Sequence, residues 1–228
     1  MIQEFPFQAV IFDMDGVIVD SEAHYWRELR DFSRAFGLGM SVDELDAQVG
    51  QSHQAFRRNL ASWLTRAGRG PITPSEAVAL YDEWAADYPR DYRALLNADA
   101  QNAIDVLREL GVRVALASSS PLENINQVLS ACSLSDVFEV IVSGEQFHES
   151  KPDPEIYLHT LDRLGLPASA CCCVEDSVPG ITAGKRAGLT VFAKREERFG
   201  FSQDAADAIL DRVDDILEVA PRLFGDRD

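Results

Sequence analysis

Apolar positions recur along this chain in two rhythms, and the change between them divides it. Residues 7–12, Phe-Gln-Ala-Val-Ile-Phe, read as a buried strand, and Gly16 breaks the run and opens a loop. From 22 to about 93 the rhythm is helical and no strand signal intervenes. Tyr25, Trp26, Leu29, Phe32 and Phe36 fall at helical spacing over 22–36. Ser41 and Glu44 form a capping box at the start of a second helix. Phe56, Leu60, Trp63 and Leu64 share a face over 52–67. Thr73-Pro74-Ser75-Glu76 opens a further helix to about 88, with proline where a missing N–H costs nothing.

Beyond about 95 the pattern alternates. Helices are expected over 99–110, from 121 to 131, 154–164, 179–187 and 213–224. Strands are expected over 112–117, 137–143, 171–174 and 189–193, with a short edge strand at 208–210. Such alternation predicts an α/β domain, a parallel sheet between two helical layers. The expected fold is therefore a three-layer, Rossmann-like core made of 1–21 and 94–228. A helical block, 22–93, is inserted after its first strand. Ser21 and the stretch 93–96 would be the two connecting strands.

Composition adds bounds. At 228 residues with 46% hydrophobic content, the chain can bury a sizeable core. A net charge of −17 argues against nucleic acid and anionic membranes as partners, since both need a basic face. No run is long and apolar enough to span a membrane. The opening residues lack a basic region followed by an apolar one, so no signal peptide is expected. Cys171, Cys172 and Cys173 are consecutive and point to alternate faces of a strand, which forbids a C-x-x-C clasp. With Cys132 they read as small buried residues in a reduced, cytoplasmic setting.

The candidate chemistry lies at strand ends, where open α/β sheets place ligands. Asp13 and Asp15, two apart, should converge on one spot, so one can stay ionised while the other carries a proton. Ser118 ends the Ala-Leu-Ala strand, and its hydroxyl with nearby N–H groups can hold a phosphate oxygen or cap the next helix. Lys151, in Glu-Ser-Lys-Pro-Asp-Pro, is a compact charge with three donors, or a solvated surface residue. Glu175 and Asp176 end another strand and are hard oxygen ligands suited to magnesium, or an acidic turn. Two decoys drop out. Gly180-x-x-x-Gly184-Lys185-Arg186 is one residue short of a P-loop and lies within a helix. Ser118 lacks the G-x-S-x-G of a serine hydrolase.

Taken together, four stretches resemble the motifs of the haloacid dehalogenase-like superfamily, in order from Asp13 to Gly184. They are Asp13-Met-Asp-Gly-Val-Ile-Val-Asp, the strand ending in Ser118, Lys151-Pro-Asp-Pro, and Val174-Glu-Asp-Ser-Val-Pro-Gly-Ile-Thr-Ala-Gly. The resemblance is to the branch of sugar-phosphate phosphatases and β-phosphoglucomutase, whose helical insert is a cap. It implies an aspartyl-phosphate on Asp13, with Asp15 as general acid and base. It also implies Mg2+ on Asp13, the backbone carbonyl of Asp15, Glu175 and Asp176. Ser118, the Ser119 N–H and Lys151 would share the phosphoryl oxygens, and Asp20 would shape the loop. The partner implied is a small phosphorylated metabolite, and a monomer is usual among relatives.

Within that branch, Asp15 argues against dehalogenases and phosphonatases, which lack the second acid. The cap decides between phosphatase and phosphomutase. The mutase places an arginine soon after a Gly-x-Ser to hold a second phosphate. Here Gly50-Gln51-Ser52 is followed by His53, with Arg57 and Arg58 one turn on. The mutase's Tyr-His pair stands here as His24-Tyr25. These departures favour a phosphatase over a mutase. Ser21, His24, Gln51, His53 and Arg57 are the candidate cap-side substrate contacts, although both histidines also read as packing residues.

Overall fold

The computed structural model describes residues 4–49, 51, 53–148 and 151–225, and the His53 side chain lies outside that description. Six strands form one parallel sheet: β1 Ala9–Phe12, β2 Arg113–Ser118, β3 Val140–Ser143, β4 Cys171–Glu175, β5 Thr190–Lys194 and β6 Ala208–Leu210, in the order β3-β2-β1-β4-β5-β6. The chain leaves β1 toward β2 and β3, then crosses back to β4 on the other side. β1 is therefore central and marks a topological switch point.

The strands are apolar throughout because both faces are covered. Val10, Phe12, Val114, Leu116, Cys172 and Val174 pack one way, and Ala9, Ile11, Ala115, Ala117, Cys171 and Cys173 the other. All four cysteines are buried and free. The first face is covered by α6 Ala98–Glu109, α7 Leu122–Ala131 and α10 Ile216–Phe224. The second is covered by α8 Glu155–Leu164 and α9 Val178–Arg186. Ile11 and Phe12 are wholly buried, and each such side chain contributes about 1.5–3 kcal/mol.

Between β1 and α6 come α1 Glu22–Phe36, α2 Val42–Asp46, α3 His53–Arg66, α4 Pro74–Ala85 and the short α5 Tyr92–Leu95. The first four enclose their own cluster, centred on Phe32, Leu60, Leu64 and Tyr81. The capping box expected at Ser41 is formed, and Thr73 forms a second one with Glu76 at the start of α4. Three local expectations are corrected. The stretch 92–95 is a helical turn, because the Asp91 side chain accepts from the Ala94 N–H at 3.0 Å. β3 begins at Val140, since the Val137 N–H is taken by Leu134 in a turn. The last helix opens with a 3-10 turn, Val213–Asp215.

The two passages between core and helical block run side by side. Val19 and Leu96 form an antiparallel bridge, the Asp20 N–H donates to Leu95 O at 2.8 Å, and the Asn97 N–H donates to Ile18 O at 2.9 Å. Arg198, from the loop after β5, reaches both Asp20 oxygens at 2.7 and 3.1 Å. Asp20 thus fastens the first passage to the core.

Candidate active site

Asp13 leaves the end of β1 with its N–H bonded to Val174 O of β4 at 2.9 Å. Asp15 follows in a tight loop. Gly16 turns that loop at φ +83°, and a Cβ there would sit 1.8 Å from Asp176 Oδ2. The position therefore needs glycine for its backbone and for the close approach of β4's terminus. Gly180 serves the neighbouring carboxylate: a Cβ on it would lie 1.9 Å from Glu175 Oε2.

Lys151 is buried at the centre. Its ammonium donates to Asp13 Oδ1 at 2.6 Å and Ala117 O at 2.9 Å, and pairs with Glu175 Oε1 at 2.7 Å. Its three donors are thus spent on three acceptors. Glu175 also accepts from the Tyr157 hydroxyl. Burial works against the Lys151 charge, but Asp13 and Glu175 outweigh it and hold the pKa above the usual lysine value.

Asp176 is different. It is 2% exposed, and neither carboxylate oxygen has a hydrogen-bond partner among the described residues. Ligand oxygens of Asp13, Glu175 and Asp176 lie within 4.8 Å of one another. Burial pushes Asp176 well above the carboxylate range, and Glu22, Asp13 and Glu175 push it the same way. Burial also raises Asp13, with Glu175 and Asp15 adding to it and Lys151 opposing. Three carboxylates face one ammonium. Orphaned buried oxygens in an all-oxygen donor set fit a hard divalent cation such as Mg2+.

Asp15 stands apart from that cluster. Ser21 Oγ donates to Oδ1 at 2.6 Å and Ser120 Oγ to Oδ2 at 2.9 Å. Burial raises its pKa and the two hydroxyls oppose the rise.

A cavity of about 310 Å³ opens over these groups. Asp13, Asp15, Lys151, Asp176 and the 119–120 turn form its floor, and α1, α3 and α4 with Arg90 form its roof. The sequence-derived candidates divide here. Ser119 and Gln51 line the cavity. Ser118 is wholly buried, and its hydroxyl accepts from the Ser120 N–H at 3.1 Å. Ser21 is buried against Asp15, which makes it a support rather than a wall residue. His24 is not in the lining and sits 3.4 Å from Glu28 behind it. Arg57 is not in the lining either, and bonds Ser75 at 3.0 Å across the helical block. Gly50, Ser52, Glu149, Ser150 and the His53 side chain lie outside the described residues.

The structure adds Ser120, Arg90 with Glu28, and Gln203. Gln203 donates to Asp176 O at 2.5 Å and Lys194 O at 2.8 Å. Ser120 could have been found, since it lies two residues past the strand end. Gln203 and Arg90 carry no local sequence signal.

Buried carboxylates gathered by one lysine lie at the switch point of a parallel sheet, where open α/β folds bind their ligands. The chain belongs to the haloacid dehalogenase-like hydrolases, whose family description it matches over residues 7–188. It is 33% identical over 182 residues to hexitol phosphatase B of Escherichia coli (strain K12), covering 79% of this chain and 80% of that protein. It is 31% identical over 191 residues to a phosphorylated carbohydrates phosphatase of Thermotoga maritima, covering 80% and 82%. Its fold matches the crystal structure of β-phosphoglucomutase from Clostridium difficile with a TM-score of 0.74 at 19% identity, covering 97% and 100% of the two chains. Among the described residues no helix is long and apolar enough to cross a membrane.

Proposed function

We propose that this protein is a magnesium-dependent phosphatase of a small phosphorylated metabolite, with a sugar or sugar-alcohol monophosphate as the substrate class. The observation that supports it most is the unpartnered Asp176 carboxylate held beside Asp13, with Asp15 on separate supports in the same cavity. The names of the two relatives point to the same substrate class.

Lys151 holds Oδ1 of Asp13, which leaves Oδ2 to attack phosphorus in line. The bond from phosphorus to the leaving oxygen breaks as the bond to Asp13 forms. Asp15 gives the leaving alkoxide its proton. Water then attacks the aspartyl-phosphate, Asp15 takes its proton, and Asp13 is released with inorganic phosphate. Asp13, the Asp15 carbonyl, Glu175 and Asp176 would hold the magnesium ion, which supplies positive charge against the transferring group. The Ser119 N–H and the Ser118 turn orient the remaining phosphoryl oxygens, and Lys151, whose donors are spent on Asp13, Glu175 and Ala117, supplies positive charge beside them. The fastening of Asp15 by Ser21 and Ser120 keeps the acid at a fixed place between leaving group and water. Residues 22–93 act as a cap that closes over residues 1–21 and 94–228, hinging at the paired passages around Val19 and Leu96, and so exclude bulk water.

The test is phosphate release with magnesium from a panel of small monoesters, with β-glucose 1-phosphate isomerisation followed in the same samples. Release without isomerisation, lost in Asp13→Asn, is the expected result. Conversion to glucose 6-phosphate with little release would make the protein a phosphomutase instead. Full activity in Asp13→Asn would remove it as nucleophile.

A further inference from the structure

The cap wall of the cavity carries a charge pattern that the core motifs do not explain. Glu28, on α1, is 1% exposed. Its Oε1 accepts from the Tyr81 hydroxyl at 2.6 Å and Arg90 Nη2 at 2.8 Å, and its Oε2 accepts from Arg90 Nε at 3.1 Å, with His24 Nε2 3.4 Å away. The carboxylate is saturated. The guanidinium is not: its Nη1 has no partner among the described residues, and Arg90 lines the cavity. Partial burial opposes the Arg90 charge, but Glu28 outweighs it and raises the pKa. The pair is therefore neutral as a unit and still offers N–H donors.

The rest of that wall extends the pattern. Glu22 and Asp82 line it with two further carboxylates, and Tyr25, Trp26 and Phe56 supply aromatic surface. Arg90 is the one guanidinium in the lining among the described residues, and its charge is already matched by Glu28. A second phosphate placed here would meet carboxylates and no uncompensated cation, and like charges brought together cost several kcal/mol. A hydroxylated carbon chain meets donors, acceptors and aromatic faces, and needs no net charge.

We infer that the Arg90–Glu28 pair is the specificity-determining element of the cap, binding hydroxyls of an uncharged polyol leaving group and rejecting a second phosphate. This rests on the phosphatase reading above and narrows its substrate to singly phosphorylated sugars or sugar alcohols. Arg90 donates to a hydroxyl oxygen far from the reacting phosphate, and Glu28 fixes the guanidinium plane and cancels its charge. A site built to pair a substrate hydroxyl discriminates strongly, because an analogue without it leaves a buried polar group unpaired.

The test uses the full-length protein with magnesium and compares kcat and KM for sorbitol 6-phosphate and glucose 1,6-bisphosphate, with p-nitrophenyl phosphate as a third probe. Wild type should favour the monophosphate by about tenfold or more in kcat/KM. Glu28→Gln keeps the shape and one of the two acceptor oxygens but leaves the Arg90 charge uncompensated, and should narrow that preference by about tenfold. Arg90→Lys keeps the charge but loses the planar fork, and should raise KM for sorbitol 6-phosphate about tenfold with a smaller change in kcat. A preference unchanged within twofold in Glu28→Gln overturns the inference. If that variant melts as unfolded, an unchanged KM in Arg90→Lys overturns it instead. Wild type that cleaves p-nitrophenyl phosphate but not sorbitol 6-phosphate, or takes the bisphosphate equally well, also overturns it and leaves the phosphatase reading intact. Wild type that cleaves none of the three removes the phosphatase reading itself.

Discussion

Gly180→Ala sets local propensity against site geometry, and the two predict opposite signs. Gly180 lies in the first turn of α9 with its N–H bonded to Ser177 Oγ at 3.2 Å. Judged as a helix position, alanine should stabilise by about 1 kcal/mol. The added Cβ, however, would fall 1.9, 2.1 and 2.2 Å from the three carboxylate atoms of Glu175. The carboxylate must therefore swing out of this position, or α9 must shift. Leaving removes Glu175 from Lys151 and Tyr157, and disrupting such a buried pair costs about 3–5 kcal/mol. The net expectation is a loss of about 2–4 kcal/mol, or about 5–15 °C in Tm for a chain of this length. Thermal unfolding by circular dichroism measures the first effect. Magnesium titration by calorimetry measures the second, where affinity should fall at least about tenfold because a ligand has moved. A variant that melts at or above the wild-type temperature and binds magnesium equally well would refute the packing of Gly180 on Glu175 and the ligand role built on it.

The remaining expectations are smaller in scope. Asp15→Asn should lower kcat by about 10²–10⁴-fold for alkyl phosphates and far less for p-nitrophenyl phosphate, whose leaving group needs no proton; equal losses on both would contradict the acid role. Gln203→Ala removes the bond to the Asp176 carbonyl and should weaken magnesium binding about tenfold while Asp13 stays in place, a change that calorimetry on the substrate-free protein would detect. The metal-free protein should lose stability as pH rises. Asp13 is raised from 3.8 to about 8, so between those values the folded state holds a proton that the unfolded chain releases, and stability falls by about 1.4 kcal/mol per pH unit for such a group. His24, lowered from 6.5 by burial, acts in the other direction below that value. The clean comparison is therefore Tm in chelator at pH 6.5 and pH 8, with the higher value at pH 6.5 and the larger rise on adding magnesium at pH 8. A higher chelated Tm at pH 8 would contradict the assignment.

The sequence specifies each site residue only as far as that residue's position is decided locally. Asp13, Ser118, Glu175 and Asp176 lie at or just beyond the ends of β1, β2 and β4, and these three strands are adjacent because β1 is central. A strand's apolar run announces its own end, so short local patterns were enough to locate these groups. Even there the pattern fixed the place and not the partner. Ser118 ends β2 as expected, yet its hydroxyl turns to the Ser120 N–H, and it is Ser120 that reaches Asp15. Ser21 was legible as a passage between the two parts, but its bond to Asp15 depends on the Gly16 loop folding back.

The roof of the site follows another rule. Which face a cap helix turns toward the core depends on how four helices pack around Phe32 and Leu64, and a helical period says only that a buried face exists. Arg57 is placed by that packing against Ser75, while Arg90 comes from beyond the last cap helix and meets Glu28 across a separation of 62 residues. Counting from Gly50 to the next arginine could not find such a pair. The same division bears on chemistry. The residues proposed to handle phosphate lie at or near strand ends, where a small displacement would break a bonded network around Lys151. Of the pair proposed to meet the leaving group, Glu28 lies on α1 and Arg90 on the link between α4 and α5, where one substitution changes a wall and leaves the floor alone. On the proposed reading, substrate choice can change without disturbing phosphoryl transfer, and Arg90 with Glu28 is where such a change would act.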